Sequence, residues 1–144
     1  MDKIILLVED NSQDEMLILR SLRKVNLANR VEVARDGQQA LDYLFREGEF
    51  AGRGGVDIPT VMLLDINLPR VNGLEVLERI RADKRTQFLP VVILTSSDEE
   101  RDRLKSYEFG ANSFVRKPLD FTDFAEAVAR LGIYWLATNI PPKG

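Results

Sequence analysis

The sequence predicts an α/β fold: a doubly wound, five-stranded parallel sheet with helices on both faces. Three observations carry that prediction. Short apolar runs recur five times along the chain. Stretches with apolar residues at helical spacing lie between them. The two kinds alternate as β-α repeated five times, an order that calls for parallel strands joined by right-handed crossovers.

The first strand is Ile4-Ile5-Leu6-Leu7-Val8, followed at once by Glu9 and Asp10. The run is too short and too abruptly acidic to be a signal segment or a membrane span. Ser12-Gln13-Asp14-Glu15 reads as a capping box opening the first helix, whose apolar stripe is Ile18, Leu19, Leu22 and Val25. Val31 to Ala34 is the second strand. Asp36 caps the second helix, which carries Ala40, Leu41, Leu44 and Phe45 on its apolar face. The stretch Gly48 to Asp57 reads as a surface loop, and its Gly54-Gly55 pair lacks the Gly-Lys-Ser/Thr of a phosphate loop.

Val61 to Leu64 is the third strand, and Asn72 caps the third helix with Val76, Leu77 and Ile80 facing inward. Arg79, Arg81, Lys84 and Arg85 read as a solvated basic cluster. Val91 to Leu94 is the fourth strand. The fourth helix opens at Ser97 or Asp98 and closes at Gly110, with Leu104, Tyr107 and Phe109 as its few apolar anchors. Ser113 to Val115 is the fifth strand. Asp120 opens the fifth helix, with Phe121, Phe124, Val128, Leu131 and Trp135 along one side. Ile133, Tyr134 and Leu136 fall off that stripe, which implies a partner surface, either the chain's own tail or a second subunit. Strands one, three and four are apolar at nearly every position, as strands buried on both faces are.

Composition bounds the chemistry. The 144 residues hold 20 Lys+Arg against 23 Asp+Glu, a net charge of −3, with no cysteine and no histidine. Without cysteine there is no disulfide framework, zinc finger or thiolate nucleophile. Without histidine there is no Ser-His-Asp triad, no imidazole metal site and no phosphohistidine. A mildly acidic chain is a poor binder of nucleic acid or of anionic membrane. The length fits one domain, residues 1–144, ending in a frayed tail over 137–144. A cytoplasmic location is expected.

Parallel sheets of this kind place ligands beyond the carboxyl ends of their strands. There the sequence puts Glu9 and Asp10, then Asp65 and Asn67, then Thr95 and Ser96, and finally Lys117 and Pro118. Clustered carboxylates repel and call for a cation. Hard oxygen ligands without His or Cys suit Mg²⁺ or Mn²⁺. Asp65 is the candidate nucleophile, since a carboxylate can form an acyl phosphate. Thr95 and Lys117 are candidates to neutralise phosphoryl oxygens.

These residues fall into five ordered motifs: Val8-Glu9-Asp10-Asn11, Leu63 to Pro69 around Asp65, Gly73, Leu94-Thr95-Ser96-Ser97, and Lys117-Pro118. Together they resemble the response-regulator receiver domain over about residues 3–136. The resemblance implies a flavodoxin-like fold with strand order 2-1-3-4-5. It implies Asp65 as phosphoacceptor, with Mg²⁺ held directly by Asp10 and Asp65, through water by Glu9, and by the Asn67 main-chain carbonyl. It implies that Lys117 pairs with the phosphoryl group, that its bond to Pro118 is cis, and that Thr95 and the aromatic Phe114 form a switch. Glu9 stands where the family usually has Asp, which lengthens the outer ligand by one methylene.

The expected function is phosphoryl transfer from a histidine kinase, followed by docking on a target or transfer to a histidine phosphotransfer protein. Asp14, Leu17 and Leu119 would meet the kinase. The eight residues after Leu136 leave no room for an output domain. The long loop before the third strand and the Tyr134-Trp135-Leu136 ending most resemble small regulators paired with phytochrome histidine kinases. A homodimer through the last strand and its flanking helices is expected. The alternative is a phosphohydrolase of the haloacid dehalogenase kind, but its acid/base carboxylate would have to be Asn67, which cannot transfer a proton that way. A flavodoxin-like electron carrier would need a phosphate loop where the acidic pair stands.

Overall fold

Five strands pair in parallel in the order β2-β1-β3-β4-β5 in the computed structural model of the chain, which describes residues 3–25, 30–52 and 58–142. The strands are β1 (Ile4–Val8), β2 (Arg30–Ala34), β3 (Val61–Leu64), β4 (Val91–Thr95) and β5 (Ser113–Arg116). The helices are α1 (Ser12–Val25), α2 (Gly37–Phe45), α3 (Gly73–Ala82), α4 (Glu100–Glu108) and α5 (Phe121–Ile133). A short 3₁₀ turn, Gly48–Phe50, begins the loop read from Gly48; Gly54, Gly55 and the last two residues of the tail lie outside the described residues. None of the described helices is long and apolar enough to cross a membrane.

The three central strands β1, β3 and β4 are buried at every position. Alternating side chains divide the core into two layers. Leu6, Val8, Met62, Leu64 and Ile93 pack under α2 and α3, against Leu41, Leu44, Val76, Leu77 and Ile80. Ile5, Leu7, Leu63, Val92 and Leu94 pack on the opposite face against Ile18, Leu22, Phe124 and Val128 of α1 and α5. Each such aliphatic side chain contributes about 1.5–3 kcal/mol by leaving water.

Four local readings change. The α1 cap is Asn11, whose side-chain oxygen accepts the Asp14 N–H at 2.9 Å, so Ser12 is already the first helical residue. The start of α4 falls later than Ser97 or Asp98: Ser97 Oγ donates to Asp102 Oδ2 at 2.6 Å and accepts the Glu99 N–H. Leu104 and Tyr107 do not anchor α4; both are half exposed or more, and the helix buries Ser106 instead. Phe121, at the first position of α5, lies beyond the sheet and is exposed.

The end of α5 corrects a fifth reading. Leu136 is buried in the α1/α5 layer rather than presented to a partner. Residues Tyr134–Thr138 form a widened turn in which the Asn139 N–H bonds to Tyr134 O, five residues back. A wider turn rotates each residue by less than the usual ~100°. That brings Leu136 round onto the row of Phe124, Val128 and Gly132, all buried. Ile133 and Tyr134 stay about half exposed.

Arg81 is not part of a solvated cluster. Its guanidinium donates to the carbonyl oxygens of Gly110, Thr86 and Gln87 and to Asn112 Oδ1 at 2.9–3.3 Å. It ties the end of α3 to the α4–β5 connection, and burial lowers its pKa. Arg85 pairs with Asp83 at 2.8 Å and lies over the Phe45 ring.

Candidate functional site at the carboxyl edge of the sheet

Glu9, Asp65 and Lys117 each sit one step past a strand, where the strand ladder still holds the backbone, and Thr95 is the last residue of β4. The Glu9 N–H donates to Ala34 O, the Asp65 N–H to Val8 O, and the Lys117 N–H to Thr95 O, at 2.7–3.1 Å. Their positions are therefore set by the sheet rather than by loops. Gly73 adds a close contact: a Cβ there would lie 2.4 Å from the Asp65 carbonyl oxygen. Only glycine lets the start of α3 approach the Asp65 peptide so closely.

Asp65 is buried and its carboxylate is fully engaged. Oδ1 accepts the Thr95 hydroxyl at 2.9 Å and the Asn67 N–H at 3.0 Å. Oδ2 accepts from Lys117 Nζ at 3.0 Å. Thr95 is also buried, and its Oγ1 accepts the Ser97 N–H at 3.3 Å.

Lys117 is the charge centre of the site. Its ammonium meets Glu9 at 2.7 Å, Asp14 at 2.9 Å and Asp65 at 3.0 Å. Burial works against its charged form, but the bonds to Glu9 and Asp14 and the field of Asp65 outweigh it and hold its pKa above the ordinary lysine range. Glu9 is shifted as well. Burial pushes its carboxyl up to about 7, against the pull of Lys117.

The carboxylates of Glu9, Asp10 and Asp65 each offer an oxygen within 4.8 Å of the others. Glu9 and Asp65 are buried, while Asp10 is exposed at the mouth. This all-oxygen donor set fits a hard divalent cation such as Mg²⁺ or Mn²⁺. The negative charge of Asp65 adds to burial in raising the Glu9 pKa.

The structure brings together Glu9, Asp10, Asp65, Thr95 and Lys117. Asn67 adjoins them through its N–H and is exposed. Phe114 lies on β5, partly buried against the α2/α3 layer. The Lys117–Pro118 bond is trans, not cis: no peptide bond among the described residues is cis. Trans is the intrinsically favoured form, and Lys117, which precedes the proline, reaches the carboxylates with that bond trans.

Asp14 is the site residue that the sequence did not assign here. It was legible only as an acid four positions after Asp10, in the first turn of a helix that starts at the site. Beside it runs an open groove of about 250 Å³, with Asp14 and Leu17 of α1 on one side and Leu119, Phe121 and Phe124 on the other.

Comparison with known proteins bears on this arrangement. The family model for the response regulator receiver domain matches residues 5–129. The probable methanogenesis regulatory protein FilR2 of Methanothrix harundinacea is 43% identical over 96% of this chain and 87% of its own. Response regulator Rcp1 of Synechocystis is 35% identical over 97% of this chain and 93% of its own. The Mn²⁺-bound crystal structure of Rcp1 superposes with a TM-score of 0.89. The phosphorylated cyanobacterial phytochrome response regulator RcpA superposes with a TM-score of 0.92 at 36% identity, covering 99% of this chain and all of its own. A Thr–Asp–Lys constellation at the strand ends, on a 2-1-3-4-5 sheet matched by that model over most of its length, makes this chain a member of the response regulator receiver domain family, the signalling proteins that histidine kinases address.

Proposed function

We propose that Asp65 accepts a phosphoryl group from a sensor histidine kinase, with Mg²⁺ or Mn²⁺ at Glu9, Asp10 and Asp65. One observation carries the reading: both oxygens of a buried carboxylate are held, one by a hydroxyl and one by an ammonium, beside a convergent set of acids. An Asp65 oxygen attacks phosphorus, the P–O bond to Asp65 forms, and the bond to the donor breaks with its electron pair leaving on the donor. Water later reverses the state, releasing phosphate and restoring the carboxylate. Thr95 and Lys117 are already in place to meet phosphoryl oxygens, so little reorganisation is needed. A divalent cation, when bound, supplies further positive charge to those oxygens, and Asp10, Asp65, the Asn67 main-chain carbonyl and, through water, Glu9 would hold it. The Mn²⁺-bound form of Rcp1 supports the cation, and the phosphorylated form of RcpA supports the modification.

In this reading the Asn67 side chain tunes the phosphoryl lifetime, and Thr95 and Phe114 carry the change of state outward by packing. RcpA is a phytochrome response regulator, which supports a phytochrome as the kinase. The groove beside Asp14, Leu17 and Leu119 is the surface for that kinase or for a histidine phosphotransfer protein. The full-length matches to RcpA and Rcp1 support a single-domain cytoplasmic regulator acting by docking or relay. A homodimer through β5 and its flanking helices is supported by half-exposed Leu104, Tyr107, Ile133 and Tyr134. A monomeric mass in both phosphorylation states would remove the dimer. The phosphohydrolase alternative has no carboxylate at Asn67 to work with.

The test is Mg²⁺-dependent labelling by a small phosphodonor. The parent is labelled and Asp65→Asn is not; equal labelling of both removes the central claim.

A further inference from the structure

Lys117 has three N–H donors, and all three are committed to carboxylates. The three acceptors are not equivalent. Glu9 and Asp65 are buried beneath the ammonium on the sheet edge, with side chains 2% and 7% exposed. Asp14 approaches from another element, α1, at the mouth of the site, and its side chain is 29% exposed. When Asp65 carries a phosphoryl group, the donor aimed at Asp65 can pass to a phosphoryl oxygen. The donor aimed at Asp14 cannot, because the Asp14 carboxylate stays where α1 holds it. Asp14 therefore pulls the ammonium toward the mouth and places a second negative charge one ammonium away from the incoming dianion. Both effects weaken the hold on the phosphoryl group.

We propose that Asp14 is a positioning residue that competes with the phosphoryl group for Lys117, and so shortens the life of the phosphorylated state. This rests on Asp65 being the phosphoacceptor. The backbone of α1 supports the assignment: the Asp14 N–H is fixed by Asn11 Oδ1 at 2.9 Å, so the carboxylate is held at the site by a capped helix turn. Glu15, the next residue, carries the same charge but turns to Arg35 at 2.9 Å. It is the internal control for a general charge effect.

The experiment uses the full chain with Mg²⁺, acetyl phosphate as donor and beryllofluoride as the non-reacting phosphoryl mimic. Asp14→Asn is expected to bind beryllofluoride about three- to tenfold more tightly and to lengthen the phosphoryl half-life by a similar factor. Asp14→Glu, which keeps the carboxylate, returns both toward the parent. Glu15→Gln moves neither. Parent values in Asp14→Asn, or weaker binding and faster loss, overturn the proposal while the labelled parent keeps the phosphoacceptor reading intact. An equal shift in Glu15→Gln overturns it as well, since the effect would then be general charge. Failure of the parent to label at all overturns the phosphoacceptor reading, and this proposal with it.

Discussion

The Thr95 hydroxyl donates to Asp65 Oδ1 at 2.9 Å across adjacent strands, with both side chains buried. Removing that hydroxyl leaves Oδ1 with the Asn67 N–H alone. A hydrogen bond to a charged group of this kind is worth about 1.5–3 kcal/mol. Thr95→Ala is therefore expected to slow labelling by a small phosphodonor about tenfold or more, while Thr95→Ser largely restores it. Stopped-flow or gel-based labelling rates check this, and an unchanged rate in Thr95→Ala would sink it.

Lys117 compensates two buried carboxylates. Lys117→Ala leaves Glu9 and Asp65 facing each other without a counter-charge, a loss of about 3–5 kcal/mol for a buried pair broken on one side. A divalent cation held by the acidic cluster offsets part of that loss, by about 2.7 kcal/mol at a hundredfold excess over Kd. Urea unfolding with and without Mg²⁺ should show a larger Mg²⁺ stabilisation in the variant than in the parent. No Mg²⁺ effect in either protein would argue against the metal cluster.

Glu9 makes the metal-free protein sensitive to pH. Its carboxyl is pushed up to about 7 from 4.5, so the folded chain binds more protons than the unfolded chain between those values. Stability from this group is fully present below pH 4.5 and is lost as pH rises through about 7, by an amount on the order of 3 kcal/mol. The raised pKa of Lys117 acts elsewhere: its contribution persists through neutrality and fades only above the ordinary lysine range. Chemical denaturation from pH 4.5 to 8 in chelator should show the decline, and Glu9→Gln should flatten it. A parent curve that rises across that window contradicts the assignment.

Arg81 serves the fold at the opposite edge of the sheet. Arg81→Ala frees three main-chain carbonyl oxygens and Asn112 Oδ1, which also accepts the Val91 N–H at 2.8 Å. The expected loss is about 2–3 kcal/mol of stability, with labelling kinetics unchanged under conditions where the variant is folded. Thermal unfolding beside a labelling assay separates the two.

Ser97 joins the strand end to α4. It bonds to Asp102 through its hydroxyl and to Thr95 Oγ1 through its N–H. Ser97→Ala should lower hydrogen-exchange protection in the first turn of α4 about fivefold, a loss of ~1 kcal/mol. Unchanged protection at Arg103, whose N–H bonds to Glu99 O, would count against the link.

Strand placement was legible because burial on both faces leaves a plain signature: Ile4–Val8, Val61–Leu64 and the run from Val91 have no polar residue to interrupt them. The acids, Thr95 and Lys117 were legible because the strand ends fix where they stand. Side-chain direction was not. Leu104 and Tyr107 are apolar residues on a mostly charged helix, and composition made them anchors, while the buried position went to small Ser106. Arg81 was counted with its charged neighbours because nothing in the sequence shows that oxygens of Thr86, Gln87, Gly110 and Asn112, in the α3–β4 and α4–β5 connections, converge on it. The pairing of Asp14 with Lys117 was not legible because it spans 103 residues of chain.

The widened turn at Tyr134–Thr138 has a consequence for length variation. It holds one residue more than a regular turn, so it behaves as an absorbed insertion. Deleting one residue there would let the segment close as ordinary α-helix. Asn139 and Ile140, beside Arg81 and Trp135, would then keep nearly their present direction, because the residue removed is the one the wider turn had taken up. A single-codon deletion in this segment that spares Leu136 should therefore be tolerated far better than one inside Phe121–Ile133, where no extra residue is present to give up.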